Sequence, residues 1–133
     1  MRSTELATIE FGQAERAIVA TIGGEVDLSN ADRVLDELMA RVGTTPWLVI
    51  DLTGCSYLDS AGLRMIARVD VRCRTVGSGL RLVVDPGGSI DRVLAMTHMD
   101  GVLTVDPLLQ DALTATLEDV DGAELGVHGV EGE

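Results

Sequence analysis

Apolar and polar residues alternate loosely from Leu6 to Phe11 and more strongly from Ala17 to Ile22, which predicts two strands. Gly12-Gln13-Ala14-Glu15 reads as the turn between them, making a β-hairpin whose first strand lies at a sheet edge. Gly23-Gly24 then reads as a strand exit. The spacing changes at Ala31, Val34, Leu35, Leu38, Met39 and Val42, the stripe of an amphipathic helix with Asp32, Asp36, Glu37 and Arg41 on its solvent side. Ser29-Asn30-Ala31-Asp32 has the form of a capping box with Asp in place of Glu, and Gly43 supplies a left-handed end.

Trp47 to Ile50 is a continuous apolar run, carried past Asp51 by Leu52 and closed by the turn residues Thr53-Gly54, the pattern of a fully buried strand. Asp59-Ser60-Ala61-Gly62 leads into a long helix, with Asp59 or Ser60 as N-cap and Leu63, Ile66, Ala67, Cys73 and Val76 as its stripe, interrupted by Asp70. Leu80–Val84 is a further strand and Asp85-Pro86-Gly87-Gly88 a turn. Ser89 caps a third helix with Ile90, Val93, Leu94 and Thr97 on one side, ending at Gly101. Met96 and Met99 lie off that stripe, either as peripheral core or as an adaptable partner surface. A short strand spans Val102–Val105. Asp106-Pro107 then reads as a cap with Pro at the first position of a last helix bearing Leu109, Ala112, Leu113, Leu117 and Val120.

The order β-β-α-β-α-β-α-β-α predicts an α/β domain over residues 1–120, a hairpin joined to parallel strands through helical crossovers, whose right-handedness would place successive helices on one face of the sheet if the strand order advances in one direction. Residues 121–133 are rich in Gly and acids and are expected to be a disordered tail. With 46% hydrophobic residues but only one Trp, one Tyr and one Phe, the core is aliphatic. No apolar run reaches the ~20 residues that span a bilayer, and no secretory leader is visible, so a cytoplasmic location is expected.

Composition then narrows the chemistry. A net charge of −12 disfavours nucleic acid and anionic membranes as partners. All ten cations are Arg, so a phosphate-binding Gly-Lys loop is absent, and so is the Lys that an aspartyl-phosphate receiver around Asp51 would use. The residue two before Ser60 is Leu58 rather than the Gly of a nucleophile elbow. Cys55 and Cys73 are expected as free thiols, since Cys73 lies ~20 Å along the helix that starts at Ser60. Neither His98 nor His128 completes a zinc site, so no metal, cofactor or catalytic group is expected. Arg64, Arg68 and Arg72 step along one helix face as a basic ridge, which is either a solvated face or a surface that meets an acidic partner. Gly62 costs up to ~1 kcal/mol relative to Ala inside a helix, offset either by tight packing on the sheet or by close approach of a partner backbone.

The stretch Ile50-Asp-Leu-Thr-Gly-Cys-Ser-Tyr-Leu-Asp-Ser-Ala-Gly-Leu63 resembles the signature of STAS domains, in particular bacterial anti-anti-sigma factors, and Gly24-Glu-Val-Asp27 resembles a second segment of that family. The resemblance covers about Glu5 to Val120. It implies the STAS fold, a central mixed sheet with helices mainly on one side, and a non-enzymatic antagonist that binds an anti-sigma factor of ATPase-like serine kinase fold. Ser60 would be the phosphoacceptor, with Asp27, Ser29, Asp59, Gly62 and Arg64 on the partner-binding surface. Phosphorylation would break the complex, a phosphatase would restore it, and the antagonist itself would be a monomer or weak dimer. Ala61 departs from the pattern, since many relatives carry a second hydroxyl there. Phosphate at Ser60 would meet free helix-terminal amides, while its charge of about −1.5 to −2 beside Asp59 would oppose docking. The alternatives are an unphosphorylated STAS module in a stressosome-like or lipid-transport assembly, and a thiol-regulated antagonist acting through Cys55.

Overall fold

A computed structural model describes residues 7–118. Five strands form one sheet in the order β1 (Ala7–Ala14), β2 (Ala17–Val26), β3 (Trp47–Leu58), β4 (Gly79–Val83) and β5 (Val105–Asp106). β1 and β2 are antiparallel, and the other neighbours pair in parallel. The crossovers are α1 (Ala31–Met39), α2 (Ser60–Val76) and α3 (Ser89–Met96), followed by a 3-10 turn at Met99–Gly101. Residues 109–118 form α4. Leu6, Val120 and the acidic segment 121–133 lie outside the described residues.

The sheet separates two apolar layers. Ala20, Ile22, Leu48, Ile50, Leu52, Leu80 and Leu82 pack under α1, α2 and α3, which bring Val34, Leu38, Met65, Ile66, Val69, Ile90 and Leu94. On the opposite face Ala17, Val19, Val49 and Val83 meet Ala112 of α4. Strand alternation produces this division, since successive side chains of β2 and β3 point to opposite faces. The fold is thus the expected α/β arrangement, with α4 alone on the second face.

Several local expectations shift. β1 runs through the expected turn to Ala14, because Ala14 pairs with Ala17 and only Glu15 and Arg16 are left to reverse the chain; Glu15 adopts a φ of 51° to do so. β2 likewise continues through Gly23-Gly24 to Val26, and β3 through Thr53-Gly54 to Leu58. Gly23 pairs with Gly54 and Gly24 with Cys55, with register shifts that absorb the irregular backbone. These glycines therefore mark a bulged part of a long ladder rather than its end. In α2 the core side is Met65, Ile66, Val69 and Cys73, whereas Val76 is exposed, a rotation that puts Asp70 at the flank, paired with Arg74 at 2.6 Å. Gly77 (φ 80°) closes that helix as expected.

Asp106 does not cap a helix. Its carboxylate accepts from Arg81 Nε at 2.8 Å and Nη2 at 3.2 Å, a two-point pairing that engages both oxygens inside the sheet. The last strand is correspondingly short, Val105–Asp106. Nor does Ser89 cap α3. It is the first helical residue after Gly88, and its hydroxyl donates to the Ser56 carbonyl at 3.0 Å. α3 stops at Met96 because His98 turns left-handed (φ 63°). Met99 packs on the core, while Met96 is exposed.

Trp47 opens β3 and sets its ring against Gly79, its ladder partner at the start of β4. A Cβ on Gly79 would overlap the indole carbons Cε3 and Cζ3. Gly79→Ala must displace the ring, and is expected to cost about 1–3 kcal/mol. Thermal unfolding and the emission of Trp47, the chain's one tryptophan, will report it. An unchanged Tm with unchanged emission would show that the ring yields freely.

Candidate functional site

The site forms where the C-terminal ends of β2 and β3 meet the N-termini of α1 and α2. Asp59 leaves β3 extended and caps α2. Its Oδ1 accepts the amides of Ala61 at 2.8 Å and Gly62 at 3.0 Å, while Oδ2 accepts the Leu28 amide at 3.0 Å. One carboxylate thus satisfies two orphan donors of the helix and also pins the loop that precedes α1. A further tie is Asp59 N–H to the Val26 carbonyl at 3.2 Å.

The 27–30 segment is organised by its own short polar side chains. Asp27 Oδ1 accepts from the Ser29 amide at 2.9 Å and the Ser29 hydroxyl at 2.5 Å. Asn30 is buried, and its amide side chain donates to the Glu25 carbonyl at 3.0 Å while its Oδ1 accepts the Asp27 amide at 3.0 Å. The expected Ser29 capping box is therefore replaced. Ser29 turns back to Asp27, and Asn30 stitches the loop to β2 without capping the helix amides. This is Asx chemistry, in which a short polar side chain substitutes for a backbone turn.

Ser60 is the first residue of α2 and is exposed. No described hydrogen bond uses its hydroxyl, so that group can be modified without breaking a contact among the described residues. The neighbouring Ala61 and Gly62 amides are not free, contrary to the expectation, because Asp59 already holds them. A phosphate on Ser60 would retain the favourable helix dipole but stand against the Asp59 charge. Gly62 is buried, and a Cβ there would lie 2.9 Å from Leu58 Cδ2 and 3.2 Å from the Val26 carbonyl. Packing on the sheet thus accounts for the glycine.

Asp27, Ser29, Asp59, Ser60 and Arg64 consequently share one rim, with Gly62 beneath it. Leu28 was not singled out by the sequence, yet it is 77% exposed at the centre of this rim. Its signal was an apolar residue between two polar ones, off any helical stripe. Leu28, Ala31, Asp32, Leu35, Ala61, Arg64, Met65 and Arg68 line a groove of about 130 Å³ between α1 and α2. No cluster of three potential metal ligands occurs among the described residues.

Cys55 is buried, with its thiol donating to the Tyr57 carbonyl at 3.4 Å. Desolvation raises its pKa, which is the opposite of what a reactive thiol needs. Cys73 is also buried, and desolvation, reinforced by Asp70, pushes its pKa up to about 11.

The chain belongs to the STAS domain family, whose model matches residues 8–112. Over 116 residues it is 28% identical to the anti-sigma-F factor antagonist RsfB of Mycobacterium tuberculosis, covering 86% of this chain and 93% of that protein. It is 31% identical over 88 residues to osmosensory protein A of the same species, a longer protein of which the match spans 55%. A crystal structure of an anti-sigma factor antagonist from Mycobacterium paratuberculosis superposes with a TM-score of 0.74 at 27% identity, covering 82% of this chain and 92% of that one.

Two measurements follow. Asp59→Ala removes the acceptor from three amides at once and should cost about 1–2 kcal/mol in urea unfolding. Asp59→Asn, which keeps one carbonyl acceptor, should recover part of that loss, and an Ala variant as stable as the parent would contradict the clamp. For the thiols, the unfolded chain releases protons near the ordinary value of 9.0, whereas folded Cys73 holds its proton to about 11. The unfolded state then binds fewer protons in that window, so stability should fall as pH rises from 9 towards 11. Cys73→Ala should flatten that slope.

Proposed function

We propose that this protein is an anti-sigma factor antagonist that docks on an anti-sigma factor through the Asp27–Ser29, Asp59–Ser60 and Arg64 rim and is switched off by phosphorylation of Ser60. The observation that carries this reading is the placement of the Ser60 hydroxyl: exposed, unengaged among the described residues, and set on a helix terminus held by Asp59. The antagonist names borne by RsfB and by the paratuberculosis structure support it. On this reading the protein is not a catalyst and resides in the cytoplasm; among the described residues no helix is long and apolar enough to cross a membrane.

The partner kinase supplies ATP, magnesium and the base, and this chain supplies the hydroxyl. Transfer of the γ-phosphoryl group forms the Ser60 Oγ–P bond, releases ADP and moves the hydroxyl proton to the kinase. The added charge stands beside Asp59 on an acidic protein. Leu28, desolvated in the complex, would then have a dianion next to it, a combination that opposes docking. Gly62 contributes from below by letting α2 seat closely on β3. A phosphatase restores the binding form. The buried, raised-pKa Cys55 gives the thiol-regulated alternative no support.

Intact-mass analysis after incubation with ATP, magnesium and the anti-sigma kinases of the source genome tests the switch. One added phosphate is expected, abolished by Ser60→Ala. Ser60→Asp should weaken binding to the same kinase by about 100-fold, equivalent to ~2.8 kcal/mol. Undiminished binding of Ser60→Asp, with no phosphate gained by the parent, would overturn the reading.

A further inference from the structure

α1 and α2 both return the chain between parallel strands, so they lie side by side and run in the same direction. Their outer surfaces carry charge in two rows of opposite sign. Along α2, Arg64, Arg68 and Arg72 are exposed at four-residue steps, and along α1 Asp32 and Asp36 are exposed one turn apart. None of these five side chains makes an ion pair or hydrogen bond among the described residues. Between the rows runs an apolar floor. The Leu28–Met65 groove continues into a wider one of about 400 Å³, lined by Met39, Ala67, Arg68, Val71, Arg72 and Thr75, with Val71 57% exposed.

We infer that this face binds a second copy of the chain, α1 of each copy lying over α2 of the other. The charge rows select that occupant. A uniformly acidic helix laid in the groove would gain from the arginines but meet Asp32 and Asp36 on the other flank, whereas a second copy presents the two rows in reverse. A two-fold axis running along the groove, parallel to the helices, exchanges α1 with α2 and leaves heights along the helices unchanged. The heights already match. Asp32 shares one section of the groove with Arg64 and Arg68, and Met39 shares the next with Arg68, Val71 and Arg72. Asp36, between Asp32 and Met39, is thus brought level with Arg68 of the second copy. A two-fold axis across the helices would instead set acids on acids. Each opposed pair occurs twice by symmetry, and Val71, Met39 and Leu28 leave water together. This inference does not depend on phosphorylation of Ser60.

Sedimentation velocity on the full chain, from micromolar to about 1 mM, tests it. A reversible dimer is expected, weakened by added salt because exposed pairs are screened beyond ~10 Å at 0.1 M. Arg68→Glu and Asp36→Arg alter exposed positions, and each should weaken self-association roughly tenfold or more, since each sets like charges opposite one another twice. An equimolar mixture of the two variants should recover the dimer. In the mixed pair the two introduced charges oppose each other with reversed sign, while the native Asp36 of one copy still faces the native Arg68 of the other. Circular dichroism confirms that each variant is folded. A parent that stays monomeric throughout the range, variants that dimerise as the parent does, or a mixture that fails to recover would each overturn the inference.

Discussion

A single carboxylate couples the two halves of the polar rim at the C-terminal ends of β2 and β3. Asp59 accepts the first free amides of α2 with one oxygen and the amide of Leu28 with the other. The strand–helix junction that presents Ser60 and the loop that presents Asp27 and Ser29 are therefore tied to one another. A carboxylate bound to three amides gains charge-assisted hydrogen bonds, and these are stronger than neutral ones. Beneath it the Leu58 side chain and the Val26 carbonyl approach Gly62 so closely that the helix start is fixed against the sheet as well. Presentation of Ser60 is thus a property of β2, β3, α1 and α2 together.

The division of labour in the sheet follows from the same junction. β2 and β3 are the longest strands, and their extra length lies at the C-terminal ends, where side-chain burial becomes irregular and glycines carry the register shifts. Close-packed aliphatic residues hold the other end. Polar chemistry collects where the ladder is bulged, and the regular part of the sheet supplies the rigidity that such a site requires.

What could be read from the sequence was whatever depends on neighbours along the chain. The run Trp47–Leu52, the α1 stripe and the Asp59 cap are local patterns, and each has a structural counterpart. Features set by residues far apart were not legible. Thr53-Gly54 has the composition of a turn, but Gly54 pairs with Gly23 across the ladder and the strand runs on through it. Asp106 before Pro107 has the form of a helix cap, but Arg81, in the neighbouring strand, takes its carboxylate. Periodicity alone draws the α2 stripe towards Val76, whereas Met65 and Val69 are chosen by the sheet beneath them. Within the site, Asp27, Ser29, Asp59, Ser60 and Arg64 could be named from motif and resemblance, whereas Leu28 emerged only once the α1–α2 groove had a shape.

The pairing order of the strands also bears on how the chain acquires its structure. The β1–β2 hairpin closes through two residues, Glu15 and Arg16. Every other ladder is parallel; the central one joins Ala17 to Trp47 and cannot begin until the whole of α1 has been made. At a synthesis rate of roughly 5–20 residues per second, the interval before β3 is available lasts seconds. Hairpin closure takes only microseconds. During that interval the inner edge of β2, with Ile18, Ala20 and Ile22 on one face, has no partner in its own chain. The nascent chain therefore waits for Trp47–Ile50 with that strand edge unpaired, an exposure of the kind that invites pairing with other chains.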